Sequence, residues 1–213
     1  MLSLENVTVR RGQQKIVSAL SVDFSAGEIW QVIGPNGCGK STLLQVINGM
    51  RPANNGRVLF SGQPFDTPDS HYATQRLFIG HDNGVNPVFT PREELGFFAD
   101  MNKLCDEVGK PAPHSVSEAL VKVGLSKVAD EPICRLSSGQ QRRVALAKLW
   151  LSSARVWVLD EPFNTLDTEG ITLITQQISQ FAMQGGLVIF TSHQETDLFP
   201  LPIRPLVLSD YVI

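Results

Sequence analysis

Three short, almost unbroken apolar runs stand out along this chain: residues 28–33 (EIWQVI), 156–159 (VWVL) and 187–190 (LVIF). Strands buried on both faces of a sheet read this way, and Gln31 is the exception within them. Residues 20–24 instead alternate apolar and polar positions, and residues 3–9 and 57–60 read as shorter, mixed strands, with turns at Ala26-Gly27 and Ser61-Gly62. A helical period predicts helices over about 40–49, 93–99, 117–123, 140–151 and 168–183, the last broken by Gly185-Gly186. Strands alternating with helices predict right-handed crossovers and a largely parallel sheet, with ligands at the carboxyl ends of its strands. Residues 90–135 depart from that alternation. There, two helical patterns follow one another across Lys110-Pro111-Ala112-Pro113, which reads as a small helical subdomain set into a core of residues 1–89 and 136–213.

Composition narrows the classes. The 213 residues fit one domain, and 42% hydrophobic with 18% charged residues describes a globular chain. A net charge of -3 carries no polyanion-binding signature, which argues against direct nucleic-acid binding. No apolar run approaches the ~18 residues of a membrane span, and residues 1–6 (MLSLEN) have no signal-peptide pattern, so a membrane role is expected to come through partners. Cys38, Cys105 and Cys134 have neither disulfide-framework nor metal-site spacing, which fits a reducing compartment.

The chemistry begins after the first apolar strand. Gly34, Pro35, Asn36, Gly37, Cys38, Gly39, Lys40 and Ser41 match the phosphate-loop pattern in full, between a strand and a helix. Glycines let backbone amides converge on phosphate oxygens, and the start of a helix adds unpaired N–H groups and a positive dipole end. Lys40 is expected to reach the β- and γ-phosphates, Ser41 to place its hydroxyl on Mg²⁺, and Thr42 to add a contact to the α-phosphate. Cys38 reads as a packing residue of the loop.

The second apolar strand ends in Asp160-Glu161. Neighbouring residues at a strand end point different ways. Asp160 would hold Mg²⁺, directly or through water, and Glu161 would polarise the attacking water, because phosphoryl transfer needs positioning and charge neutralisation. His193 follows the third apolar strand and is therefore placed on the same ligand edge, as a γ-phosphate contact.

Leu136, Ser137, Ser138, Gly139, Gln140, Gln141, Arg142 and Arg143 resemble the LSGGQ signature of ATP-binding-cassette (ABC) ATPases, with Ser138 in place of the first signature glycine. The resemblance covers nearly the whole chain. It implies an α/β P-loop NTPase of ABC ATPase type: a mainly parallel sheet flanked by helices, an N-terminal antiparallel β portion and a helical subdomain that docks on membrane subunits. It also implies a functional homodimer that holds two ATP molecules, each between one phosphate loop and the other copy's signature. Asn164, Thr165, Leu166 and Asp167 look like the D-loop, and residues 190–193 like the switch-histidine segment. Two positions depart from the pattern. Arg11 stands where an aromatic residue usually stacks on adenine, and its planar guanidinium could take that place. His81, with Asp82 beside it, stands where the Q-loop glutamine normally senses Mg²⁺ and the membrane partner.

Further details are similar to the cytochrome c maturation (haem export) branch of the family. These are residues 137–151 (SSGQQRRVALAKLWL), the strand glutamine Gln31, the histidine-bearing segment Ile79-Gly80-His81, and residues 185–194 (GGLVIFTSHQ). That likeness implies a peripheral ATPase on the cytoplasmic face of a bacterial inner membrane. Its membrane partners would resemble CcmB, CcmC and CcmD, and its hydrolysis would serve haem export or release of the haem-loaded chaperone CcmE. Phe89, Phe97, Phe98 and Met101 are candidates for the docking surface, with some of them expected in the core. The core motifs also fit the ATPase of another small-substrate transporter and, less well, a soluble ABC ATPase acting on nucleic acid or ribosomes.

Overall fold

A computed structural model describes the chain except for residues 13, 65–73, 106–113, 193–198 and 212–213, and without the side chains of residues 14 and 103–105. His193 and the Lys110–Pro113 stretch lie outside the described residues.

Two sheets organise the molecule. The first is antiparallel, in the order β2 (Gln14–Phe24), β1 (Leu2–Arg11), β4 (Asn55–Phe60), β5 (Gln63–Pro64). The second is parallel throughout, in the order β6 (Arg76–Ile79), β7 (Val156–Leu159), β8 (Leu187–Thr191), β3 (Ile29–Ile33), β9 (Ile203–Val207). The three apolar runs are its three central strands. Each is buried on both sides because side chains alternate across the sheet. Trp157, Leu159, Val188 and Phe190 join one core with α4 (Ser138–Leu151) and α5 (Thr168–Met183). Val156, Val158, Leu187 and Ile189 join a second core with α1 (Lys40–Ile47) and the antiparallel sheet.

The remaining α-helices among the described residues are α2 (Pro91–Cys105) and α3 (Val116–Lys122), which pack with α4 around Leu95, Leu120 and Val123. Helix starts are chemically marked. Thr90 and Glu93 exchange hydrogen bonds ahead of Pro91, and Ser115 with Glu118 forms a capping box on α3. A capping box of Ser137 with Gln140 starts α4 two residues before its apolar period begins. Helix α1 ends two residues before its expected limit, where Asn48 caps it and Gly49 turns at φ 71°.

Strand β2 begins well before the alternating segment at residues 20–24. The cause is a bulge: Ala19 sits at φ 51° and the pairing slips between Val7↔Leu20 and Val9↔Val17, so Ile16 and Val17 are both buried and the two-residue period is lost. The edge strand β6 holds only three apolar residues, Leu77, Phe78 and Ile79, and β9 is interrupted by Arg204 and Pro205. Strand β9 contains Pro205 opposite Gln31, which an edge position tolerates because one side of the strand needs no ladder bond.

Candidate functional site

The parallel register brings four loops to one edge. Ile79 pairs with Leu159, Leu159 with Phe190, and Thr191 with Val32, so residues 80–83, Asp160-Glu161, Ser192 and the phosphate loop all leave the carboxyl end of the sheet side by side.

The phosphate loop is shaped for an anion. Gly37 and Gly39 take φ 79° and 102°, which glycine adopts without strain. A side chain at Gly39 would also collide with Ile16 Cγ2 of β2, so the antiparallel sheet closes directly on the loop. Helix α1 starts from Gly39 with no side-chain cap, which leaves its first amides to an external acceptor. Lys40 is buried to 8% exposure, and its Nζ donates to the carbonyls of Gly34 at 2.9 Å and Pro35 at 3.3 Å, so the ammonium lies folded across the loop. Pro35, Asn36, Gly37 and Ser41 are exposed, and Thr42 is half-buried. Cys38 packs against the core beneath, as a packing residue should.

The acidic pair is held from behind. Asp160 and Glu161 are both buried, and Glu161 adopts φ 49°, unusual for a residue with a side chain. Thr191 clamps the turn: its Oγ1 accepts from the Glu161 amide at 2.9 Å and donates to Asp160 Oδ1 at 2.6 Å. The Asp160 carboxylate and the Ser41 hydroxyl are hard oxygen donors, which suit Mg²⁺, an ion that takes few protein ligands beside phosphate and water. Among the described residues no cluster of three or more His, Cys, Asp or Glu forms an all-protein cage.

The signature faces elsewhere. Ser137, Ser138, Gly139 and Gln140 line an open groove of about 620 Å³ together with Thr165 and Asp167. Position 139 requires glycine, since a Cβ there would meet the Thr165 carbonyl oxygen at 2.8 Å. Asp167 caps α5 through the Gly170 amide at 2.9 Å and pairs with Arg143 at 2.5 Å. The Gly170 amide and then the Arg143 guanidinium hold the Asp167 carboxyl below the usual carboxylate range.

The residues inferred from sequence thus separate into groups. The phosphate loop and the acidic pair share the sheet edge; the signature and Asp167 share the groove. Arg11 is exposed at the end of β1, paired with Gln14, in the hairpin whose Ile16 touches Gly39. His81 and Asp82 are exposed in the turn after β6. Phe97 and Met101 are exposed at 61% and 46%, whereas Phe89 and Phe98 are half-buried, and Phe98 lies under Lys148. Three contributors take roles that the sequence does not reveal. Thr191 is one. Gln31, the polar exception in β3, donates to the Ser192 carbonyl at 3.3 Å. Arg142 is the third: it is buried beneath the acidic turn and donates to the Asp160 and Glu161 carbonyls.

Comparison with known proteins gives a consistent answer. A family profile described as ABC transporter matches residues 17–164. The cytochrome c biogenesis ATP-binding export protein CcmA of Escherichia coli O157:H7 is 39% identical over 209 residues, 98% of this chain and 97% of that protein. CcmA of Vibrio cholerae serotype O1 is 38% identical over 210 residues, 99% of each. Among solved structures, a putative ABC transporter ATP-binding protein from Pyrococcus furiosus superposes with a TM-score of 0.80 at 21% identity, covering 100% of this chain and 99% of that one. The dimeric bacterial ABC transporter cassette MJ0796 gives 0.79 at 22% identity over 98% of this chain and 95% of that one.

Proposed function

The chain belongs to the ABC transporter ATP-binding family, whose members bind and hydrolyse ATP, and from that premise we propose that it is the ATPase subunit of a bacterial cytochrome c maturation complex. In this reading it sits on the cytoplasmic face of the inner membrane, with partners resembling CcmB, CcmC and CcmD. Its ATP cycle serves haem export or release of haem-loaded CcmE. Likeness to CcmA proteins over nearly the full chain supports the assignment. No helix among the described residues is long and apolar enough to cross a membrane, so attachment through partners fits the reading.

One observation carries the chemistry: an uncapped helix start behind left-handed glycines lies on the same sheet edge as a buried, clamped Asp-Glu pair. The amides of residues 37–42 and Lys40 bind the phosphates of ATP. Lys40 swings from the Gly34 and Pro35 carbonyls to the β- and γ-phosphate oxygens. Ser41 and Asp160 hold Mg²⁺, with His81 as a further candidate, and the ion supplies charge neutralisation at the phosphates. Glu161 accepts the proton of the attacking water, and His193 contacts the γ-phosphate. Arg11 stacks on the adenine. A second copy presents Ser137, Ser138, Gly139, Gln140 and Asp167 to the γ-phosphate side, so ATP joins the two copies and its hydrolysis releases them. Residues 90–135 form the subdomain that engages the membrane subunits.

Two measurements test this. Glu161→Gln keeps ATP binding and lowers kcat by about 10²–10⁴-fold, the range expected for loss of a general base. It also accumulates an ATP-bound dimer in size-exclusion chromatography; brisk turnover would contradict the role of Glu161. Phe97→Asp places a charge on the exposed docking face and abolishes co-purification with the membrane subunits, while ATP affinity of the isolated chain is retained. Full co-purification would move the docking surface elsewhere.

A further inference from the structure

The buried guanidinium of Arg142 has a geometry that neither the signature nor the acidic pair accounts for. It is 2% exposed, on the side of α4 that faces the sheet. All five of its N–H donors are placed on acceptors, one for each hydrogen. Nε donates to the Pro162 carbonyl at 3.4 Å. Nη1 donates to the Gly80 carbonyl at 2.8 Å and to Asn83 Oδ1 at 3.4 Å. Nη2 donates to the carbonyls of Asp160 at 3.0 Å and Glu161 at 2.8 Å. The acceptors come from two segments only: the turn after β6 and the turn after β7.

Burial pushes the Arg142 pKa down to about 10, against the pull of the Asp160 and Glu161 carboxylates, so the group remains cationic near neutral pH. A buried cation is a poor device for stability, since apolar packing of the same volume is often better. What it supplies is placement. Three consecutive carbonyls, those of residues 160, 161 and 162, are fixed by one rigid planar group. The middle one belongs to Glu161, whose φ of 49° has to be imposed by its surroundings. Thr191 holds the amide side of this turn and Arg142 holds the carbonyl side.

The other arm of the guanidinium reaches a segment that is itself tied to the helical region. Past Asn83, the Gly84 carbonyl accepts from Lys148 at 3.5 Å, and the Asn86 amide donates to Glu94 at 3.2 Å. Lys148, half-buried, and the buried Glu94 form an ion pair at 2.8 Å between α4 and α2. Helix α2 carries the exposed Phe97 and Met101. Residues 80–86 therefore run as a strap between the proposed docking face and Arg142.

We infer that Arg142 is a positioning residue for hydrolysis: it fixes the backbone of the Asp160-Glu161-Pro162 turn, and with it the Glu161 carboxylate, in register with the 80–86 strap. This rests on the proposed role of Glu161 as the group that activates water. Its consequence is specific. Arg142 acts on the chemical step through Glu161 and has no direct part in holding ATP.

The test is a double-mutant cycle on the full chain. Arg142→Lys keeps the charge but offers three donors on a shorter reach, and kcat should fall about tenfold to a hundredfold, as for a misplacement near 1 Å, with KM for ATP within about twofold. In the Glu161→Gln background the same substitution should change the residual turnover by less than about twofold, because residues that act as a unit are not additive. An equal fall in both backgrounds, or a raised KM with unchanged kcat, overturns the inference. Asn83→Ala leaves the guanidinium in place and removes one acceptor on the strap side. It should lower kcat by roughly threefold without moving KM, in line with one lost hydrogen bond, and unchanged kcat would likewise contradict the proposal. If Glu161→Gln alone retains full turnover, the proposed function fails instead, so the two failures are distinguishable.

Discussion

Two helix starts in this molecule have opposite designs. Helix α1 begins at a glycine in the left-handed region with no side chain on its amides, while α4 begins at Ser137 inside a complete capping box with Gln140. The first follows a glycine-rich loop and the second opens on the small residues Ser137, Ser138 and Gly139, and both are expected to face phosphate. The first is incomplete without a ligand: its orphan donors and dipole end favour an anion from the same chain's site. The second is capped in part, the Ser137 and Gln140 amides each having a side-chain acceptor. Its Ser137 hydroxyl accepts from the Gln140 amide, and a hydroxyl that accepts still has its own hydrogen to donate outward. One start is a cradle and the other a preformed, rigid surface. That division suits a site assembled from two copies, in which one loop holds the nucleotide and the other closes on it.

The contrast can be broken most sharply at Gly39. Gly39→Ala puts a Cβ on Ile16 and a side chain at φ 102°, so ATP binding should fall by at least about a hundredfold, with a stability loss of about 1–3 kcal/mol. Isothermal titration and thermal melts report both. At the other helix, Ser137→Ala should cost about 1 kcal/mol through the lost cap and leave ATP affinity of the isolated chain unchanged, yet lower dimer-dependent turnover. Equal loss of ATP affinity at both sites would erase the distinction. The smallest effect belongs to Asp167. Its carboxyl titrates below the usual range, so its contribution to stability is present above about pH 4 and is lost as pH falls through the depressed value. Asp167→Asn keeps an N-cap and removes the charge, so the stability gap between the two proteins in denaturant titrations should close on acidification below about pH 4.

The cradle and its acidic partners are legible in the sequence because they interrupt strong patterns: apolar strands that end abruptly in glycines or carboxylates. Helix α4 is legible for the same reason, though its start is set by Ser137, outside the apolar period. The supports of the site are not legible. Arg142 looks like one more charge after the signature, and its partner Gly80 stands 62 positions away as a bare carbonyl, which any residue could supply. Thr191 reads as the residue that follows an apolar strand until the fold sets it against Asp160. Gln31 does stand out, as a polar residue in a buried strand, but its acceptor is again backbone. Periodicity likewise fails at β9, where Arg204 and Pro205 interrupt an edge strand, and at the Ala19 bulge in β2. Side-chain chemistry aimed at a ligand leaves a trace in sequence; side chains aimed at distant backbone leave almost none.

The most direct measurement is a crystal structure of the Glu161→Gln chain with ATP and Mg²⁺. Phosphate oxygens should lie within hydrogen-bonding distance of the amides of residues 37–42, with a second copy's Ser137 and Gly139 closing on the γ-phosphate. A nucleotide lodged anywhere else, with the loop before α1 empty, would contradict it.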